Sequence, residues 1–261
     1  MTDFSNMSLG SAPSVPERGV KWVNFGTTRV RLIFPESGDM RRHIDSILSG
    51  KEYPALQLPG YVAKNVIDIG ANVGAAAFYF AFSFPQAQVY AFEPSAENFR
   101  HLKSNAEASP NIRVFPYGLL DRADRVKLYS GKLQSMQCSI VQGPETTNQS
   151  ETIELRSASE EMKRLGIDEI SILKLDTEGC ELPILTSLSP WLERTDFMYI
   201  EYHSEEDRRA IDRLTEEYFM LTTARAACPH RGQIMYSAKR LADRYEIFNR
   251  QRVVGPRSVT Q

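Results

Sequence analysis

Val66-Ile67-Asp68-Ile69-Gly70-Ala71-Asn72-Val73-Gly74 decides the fold: an apolar run ends in an acid and turns through two glycines into Ala75-Ala76-Ala77. The pattern predicts a strand, then a helix from Gly74 to about Phe84 that stops before Pro85. Such a corner suits a nucleotide, because free N–H groups and the positive end of the helix dipole point into the turn.

Which nucleotide follows from the residues in the turn. A dinucleotide fingerprint reads G-x-G-x-x-G, with glycines that let a pyrophosphate approach the backbone. Here the run is D-x-G-x-N-x-G: Asn72 replaces the middle glycine, and Asp68 would repel a phosphate. An acid at that point suits an ammonium group. S-adenosylmethionine has no phosphate; its ammonium is matched by Asp68 and its carboxylate by the helix N-terminus.

Gln88-Val89-Tyr90-Ala91-Phe92-Glu93 supports the same reading. It predicts a second strand ending in an acid about twenty residues after the glycine turn, where ribose hydroxyls are gripped. Pro94 and Ser95 then open a second helix. Each motif alone is weak, and the order of the two is what makes them specific.

VIDIGANVG, AFEPSAENFRHLKSN and ILKLDTEGCELPIL together resemble the FkbM-type family of S-adenosylmethionine-dependent methyltransferases. The likeness is best over about 65–203 and looser to about 240. It implies a seven-stranded Rossmann-like α/β sheet of order 3-2-1-4-5-7-6 with the last strand antiparallel. The expected organisation is an N-terminal arm and cap over 1–62, a methyltransferase domain over 63–250 with a β-rich insert at about 121–157, and a tail over 251–261.

Composition bounds the rest. The 261 residues permit one large core, and the formal net charge of -2 disfavours a nucleic-acid partner. No run reaches the roughly 18 apolar residues of a membrane span, and the N-terminus lacks a signal-peptide pattern, so a cytoplasmic location with no membrane contact is expected. Cys138, Cys180 and Cys228 are widely spaced, read as reduced packing residues, and form no C-x-x-C pair.

Along the chain, 1–19 reads as an arm rich in Ser, Pro and Gly. Val20–Phe34 alternates as a hairpin turning at Gly26-Thr27-Thr28, and Met40–Leu48 has helical spacing closed by Gly50. This preamble is either a cover for the cofactor pocket or a packing appendage. A third strand is expected over Ile112–Leu120. Gly118 and Leu119 fall at the mouth where an adenine would lie, and Asp121 is either an adenine acceptor or a turn former. The insert holds strand-like Val126–Tyr129, Cys138–Val141 and Thr152–Leu155, then a helix capped by Ser157 and Glu160 and stopped at Gly166.

Two further strands, Ser171–Asp176 and Asp196–Tyr202, end in ionisable groups. With the family's strand order, Asp176, Glu178, Glu201 and His203 face the sulfonium end of a cofactor held by Asp68, Gly70, Ala71, Asn72, Gly74, Glu93, Pro94, Gly118, Leu119 and Asp121. Methyl transfer to an alcohol needs alignment and loss of a proton. His203 is the preferred base, with strand capping as its alternative role. Asp176, Glu178 and Glu201 either handle the substrate hydroxyl or hold a divalent ion, and Lys174 joins them or neutralises a buried acid. A metal-independent site is preferred.

The expected function is O-methylation of a small-molecule hydroxyl on a sugar or secondary metabolite. The alternatives are an N-methyltransferase or divalent-metal-dependent O-methyltransferase of the same fold and, further off, an NAD-binding oxidoreductase. The Leu175-Asp176-Thr177-Glu178 run lacks the Asn-Pro-Pro-aromatic motif that holds a planar amine, and Asp68 and Asn72 disfavour a pyrophosphate.

Overall fold

In the computed structural model, which describes residues 18–25, 28–56, 58–131, 138–139 and 146–245, the run around Asp68 is an interior strand of a seven-stranded sheet. The chain begins with a hairpin, β1 (Arg18–Phe25) and β2 (Thr28–Pro35), and helix α1 (Gly38–Leu48). It continues through β3 (Asn65–Ile69), α2 (Ala75–Ser83), β4 (Gln88–Phe92), α3 (Ala96–Ala106) and β5 (Ile112–Phe115). The insert comprises β6 (Gly118–Leu120), β7 (Asp124–Gly131), β8 (Cys138–Ser139) and β9 (Thr146–Ser157), followed by α4 (Ala158–Leu165). Last come β10 (Ile170–Leu175), α5 (Glu181–Ser187), a 3-10 turn, β11 (Thr195–Tyr202), α6 (Glu205–Thr215), β12 (Phe219–Cys228), β13 (Arg231–Ala238) and α7 (Lys239–Tyr245).

The main sheet runs β12-β13-β11-β10-β3-β4-β5. The five strands from β5 to β11 are parallel, and β13 is antiparallel to both neighbours. Strand order reverses at β3, between β4 and β10, which opens a crevice at the carboxyl ends of these strands. Val66, Ile67 and Ile69 of β3 are buried, and α2 buries every residue from Ala75 to Ala81, as a helix apolar on all sides must.

The third strand differs from the single run expected over Ile112–Leu120. It breaks at Pro116-Tyr117, so β5 closes the main sheet and β6 joins a second sheet of order β6-β9-β7-β8. Pro116 has no N–H with which to continue the ladder. Gly118 then fits against Pro94 and Leu155: a Cβ there would lie 2.6 Å from Leu155 Cδ2. The insert strands extend past their expected ends at β7 and β9, while Ile140 and Val141 lie outside the described residues, as do the turn residues Gly26 and Thr27, the arm over 1–17 and the tail over 251–261.

Helix ends follow the sequence. Ser157 Oγ accepts from Glu160 N, and Gly166 takes the left-handed conformation after α4. Ser37 caps α1 by accepting from Met40 N at 3.1 Å. The appendage is fastened by Asn105 of α3, whose Oδ1 accepts from Ile33 N and whose Nδ2 donates to Ile33 O and Val73 O, all at 2.8 Å. No helix among the described residues is long and apolar enough to cross a membrane.

Candidate active site

The glycine turn is shaped from below. Gly70 N and Ala71 N donate to Phe92 O at 3.1 and 3.0 Å, and Asn72 N donates to Glu93 Oε2 at 2.8 Å. Asn72 sits at φ 52, a left-handed conformation that asparagine tolerates. Gly70 (φ 78) has no room for a side chain, because a Cβ would lie 1.8 Å from Asp176 O. Gly74 (φ 88) packs against Leu102. Ala71 and Gly74 therefore set the path of the turn without lining the cavity above it.

That cavity holds about 1060 Å³ of empty space, part of it open to solvent. At one end stand Glu93, Pro94, Asn98, Gly118 and Leu119, with Leu128, Ile153 and Leu155 of the insert as an apolar wall. Gly70 and Asn72 lie between, and at the other end stand Asp176, Thr177, Glu178, Glu201 and His43. Glu93 accepts from Ser95 N at 2.9 Å as well as from Asn72 N. Burial pushes its carboxyl up, against these N–H groups, to about 7.

Asp68 corrects the expectation. It is wholly buried and does not line the cavity. Lys174 Nζ lies 3.1 Å from its Oδ1 and the Ala77 N–H of α2 is also directed at it, so the acid is taken up by a lysine and a helix N-terminus inside the fold. Lys174 is likewise buried and absent from the cavity wall. It donates to Gly70 O at 2.6 Å and stands 3.5 Å from Asp176 Oδ2. Burial disfavours its charge, but the two aspartates more than reverse this and keep it an ammonium. Lys174 thus ties the ends of β3 and β10 together, and handling substrate falls to other residues. Asp121 is also outside the cavity: it pairs at the surface with Arg122 at 3.2 Å, as a turn residue.

His203 stands among three glutamates. Its Nε2 is 3.1 Å from Glu178 Oε2 and 3.9 Å from Glu201 Oε1, and its Nδ1 is 3.5 Å from Glu181 Oε1. Burial lowers its pKa, and Glu178 and Glu181 more than reverse the effect, raising it to about 11. With Glu178, Glu181 and Glu201 around it, the imidazole is held towards its charged form, a placement that suits a brace between the loop after β10 and the end of β11. Asp176 and Glu201 behave as one unit: the Asp176 carboxylate, then burial, raises Glu201, while Lys174 and the histidines hold Asp176 low against its own burial.

Glu181 escaped the sequence reading. Its carboxylate accepts from Thr177 N at 2.7 Å, Thr177 Oγ1 at 3.0 Å and Gly179 N at 3.1 Å, folding the loop after β10 around one acid. An acid in the first turn of a helix after a glycine is the available signal. Asn98 and His43 also line the cavity unannounced, and Cys180 lines it with a thiol pushed up to about 12 by burial. Asp176, Glu178 and His203 each offer one donor atom within 4.8 Å of the others, a set that fits a divalent ion only with His203 neutral.

Residues 68–226 match the methyltransferase FkbM domain. The chain belongs to the FkbM methyltransferase domain family. Among proteins similar to this FkbM-domain chain, the hexuronic acid methyltransferase AglP of Haloferax volcanii is 27% identical over 152 residues, 58% of this chain and 60% of that protein. The 2-O-methyltransferase NoeI of Sinorhizobium fredii is 24% identical over 155 residues, 54% of this chain and 64% of that one. The chain thus spans less than two thirds of either relative. It is also similar to the Methanococcus jannaschii fibrillarin pre-rRNA processing protein, at 11% identity and TM-score 0.49 over 84% of this chain and 83% of that one. The FkbM match begins at Asp68, so α1 and its His43 lie outside it.

Proposed function

We propose that the chain is an S-adenosylmethionine-dependent O-methyltransferase acting on a hydroxyl of a small molecule, a sugar or a secondary metabolite. The observation that carries this reading is Glu93: a carboxylate held by two backbone N–H groups beside a turn in which Asn72 stands for the middle glycine of a dinucleotide fingerprint, and an apolar wall, as a nucleoside needs. Family membership supports the donor, and the relatives named for a hexuronic acid and for 2-O-methylation support a sugar hydroxyl as acceptor.

Glu93 takes the ribose hydroxyls, and Pro94, Leu119, Leu128, Ile153 and Leu155 enclose the adenine. Asp176, against Gly70, faces the positive end in the place first given to Asp68. The bound donor supplies an electrophilic methyl group on a sulfonium. Around it the chain excludes water with the insert wall, holds negative charge near the sulfonium through Asp176 and Glu178, and orients the acceptor in line with the methyl carbon.

The site works without a divalent ion in this reading: both ring nitrogens of His203 already lie against the carboxylates of Glu178, Glu181 and Glu201. Calorimetry with S-adenosylmethionine and with NAD tests the cofactor, and NAD binding with no response to S-adenosylmethionine overturns the proposal. Screening hydroxylated metabolites with labelled donor tests the acceptor class.

A further inference from the structure

The acceptor end of the cavity must hold a group that removes the hydroxyl proton, if the methyl-transfer reading above is right. Most candidates there are already engaged. Glu178 is paired with the His203 imidazolium, and Glu181 is wrapped by its loop. Asp176 and Glu201 are coupled to each other, with Lys174 behind Asp176. Glu93 belongs to the ribose end.

His43 differs from all of these. It lines the cavity with Asp176, Thr177 and Glu201, is half-buried, and has no hydrogen bond or ion pair to another described residue. Its place is fixed by the helix that carries it: Met40, Ile44, Ile47 and Leu48 bury one stripe of α1, and His43 stands at the border of that stripe, one turn from Met40 and from Ile47. The ring is thus held at the cavity wall by packing and is only half-buried there, so solvent can take a proton from it.

We propose that His43, supplied by a helix outside the family-matched stretch, is the general base of methyl transfer. As the acceptor oxygen attacks the methyl carbon, an O–C bond forms and the C–S bond breaks. The bonding pair stays on sulfur, which passes from sulfonium to neutral thioether. The hydroxyl proton moves to an imidazole nitrogen and then to solvent. Asp176, within electrostatic reach, offsets the charge that His43 gains.

The test uses His43→Gln and His43→Ala in the full chain, assayed with labelled S-adenosylmethionine against a panel of neutral hexoses, hexuronic acids and hydroxylated secondary metabolites. The expected result is a kcat lower by about 100-fold or more, the range general-base catalysis supplies. The Kd for S-adenosylhomocysteine by calorimetry should stay within about twofold, as for a residue used only in the chemical step. Added imidazole should restore part of the His43→Ala rate. A kcat within about threefold of wild type in either variant overturns the assignment alone. Wild-type protein that binds the donor but labels no member of the panel overturns the hydroxyl-transfer reading and this assignment together.

Discussion

Lys174 Nζ lies 3.1 Å from the Asp68 carboxylate between two paired strands, β10 and β3, with neither residue exposed to solvent beyond a few per cent. Removing one partner strands a buried charge. Lys174→Met is expected to lower unfolding stability by about 3–5 kcal/mol, and Asp68→Ala to weaken donor binding only alongside a comparable loss of stability. Urea melts of both single variants and the double variant measure the coupling. A Lys174→Met protein that melts with wild type sinks the structural role.

In the proposed site, where Glu93 grips the ribose, donor binding depends on pH. The free carboxyl titrates at about 7, and ribose hydroxyls need the carboxylate, so binding expels a proton below that pH. Affinity should fall up to about tenfold per pH unit below 7 and level off above it. Calorimetry in buffers of different ionisation heat checks the proton release. An identical slope in Glu93→Gln would refute the assignment.

The His203 brace shows in stability rather than turnover. Its pKa rises from 6.5 to about 11 on folding, so its contribution is full below pH 6.5 and is lost as pH climbs towards 11. The folded state holds the extra proton across that window, and stability therefore declines with rising pH. His203→Gln should flatten this decline in denaturant titrations, and an unchanged slope would count against the brace.

Asn105→Ala removes the partners of Ile33 N, Ile33 O and Val73 O together. A cost of about 2–4 kcal/mol is expected, since a buried group left unpaired costs about 1–3 kcal/mol and the two bonds to Ile33 are only part-buried, where water can replace the lost partner. Hydrogen exchange should localise the loss to the hairpin and the glycine turn. Global destabilisation with unchanged exchange there would contradict this.

Chelation separates the metal question. Dialysis against EDTA is expected to leave methyl transfer within about twofold of the untreated protein, because both ring nitrogens of His203 already lie against the carboxylates there. Loss of activity restored by magnesium or manganese would overturn the metal-independent reading.

The path of the main sheet was legible where signals are local: glycines at Gly70 and Gly74, acids closing β4 and β10, Ser157 and Gly166 bounding α4. The direction of Asp68 was not, because a lysine from a distant strand decides it. Nor was the protonation of His203, which depends on two glutamates from the loop after β10 and the helix beginning there. The single strand expected to Leu120 missed the consequence of Pro116. His43 gave no local signal, since an isolated histidine on an amphipathic helix looks like any half-exposed position.

The break at Pro116-Tyr117 bears on how small molecules get in and out. Only two residues separate the edge of the main sheet from the first strand of the insert, and β6 is stapled alongside β9. The apolar wall is thus a stiff buttress with little freedom to swing. A guest is met there by a wall that keeps its shape, with His43 of the well-packed α1 lining the same cavity.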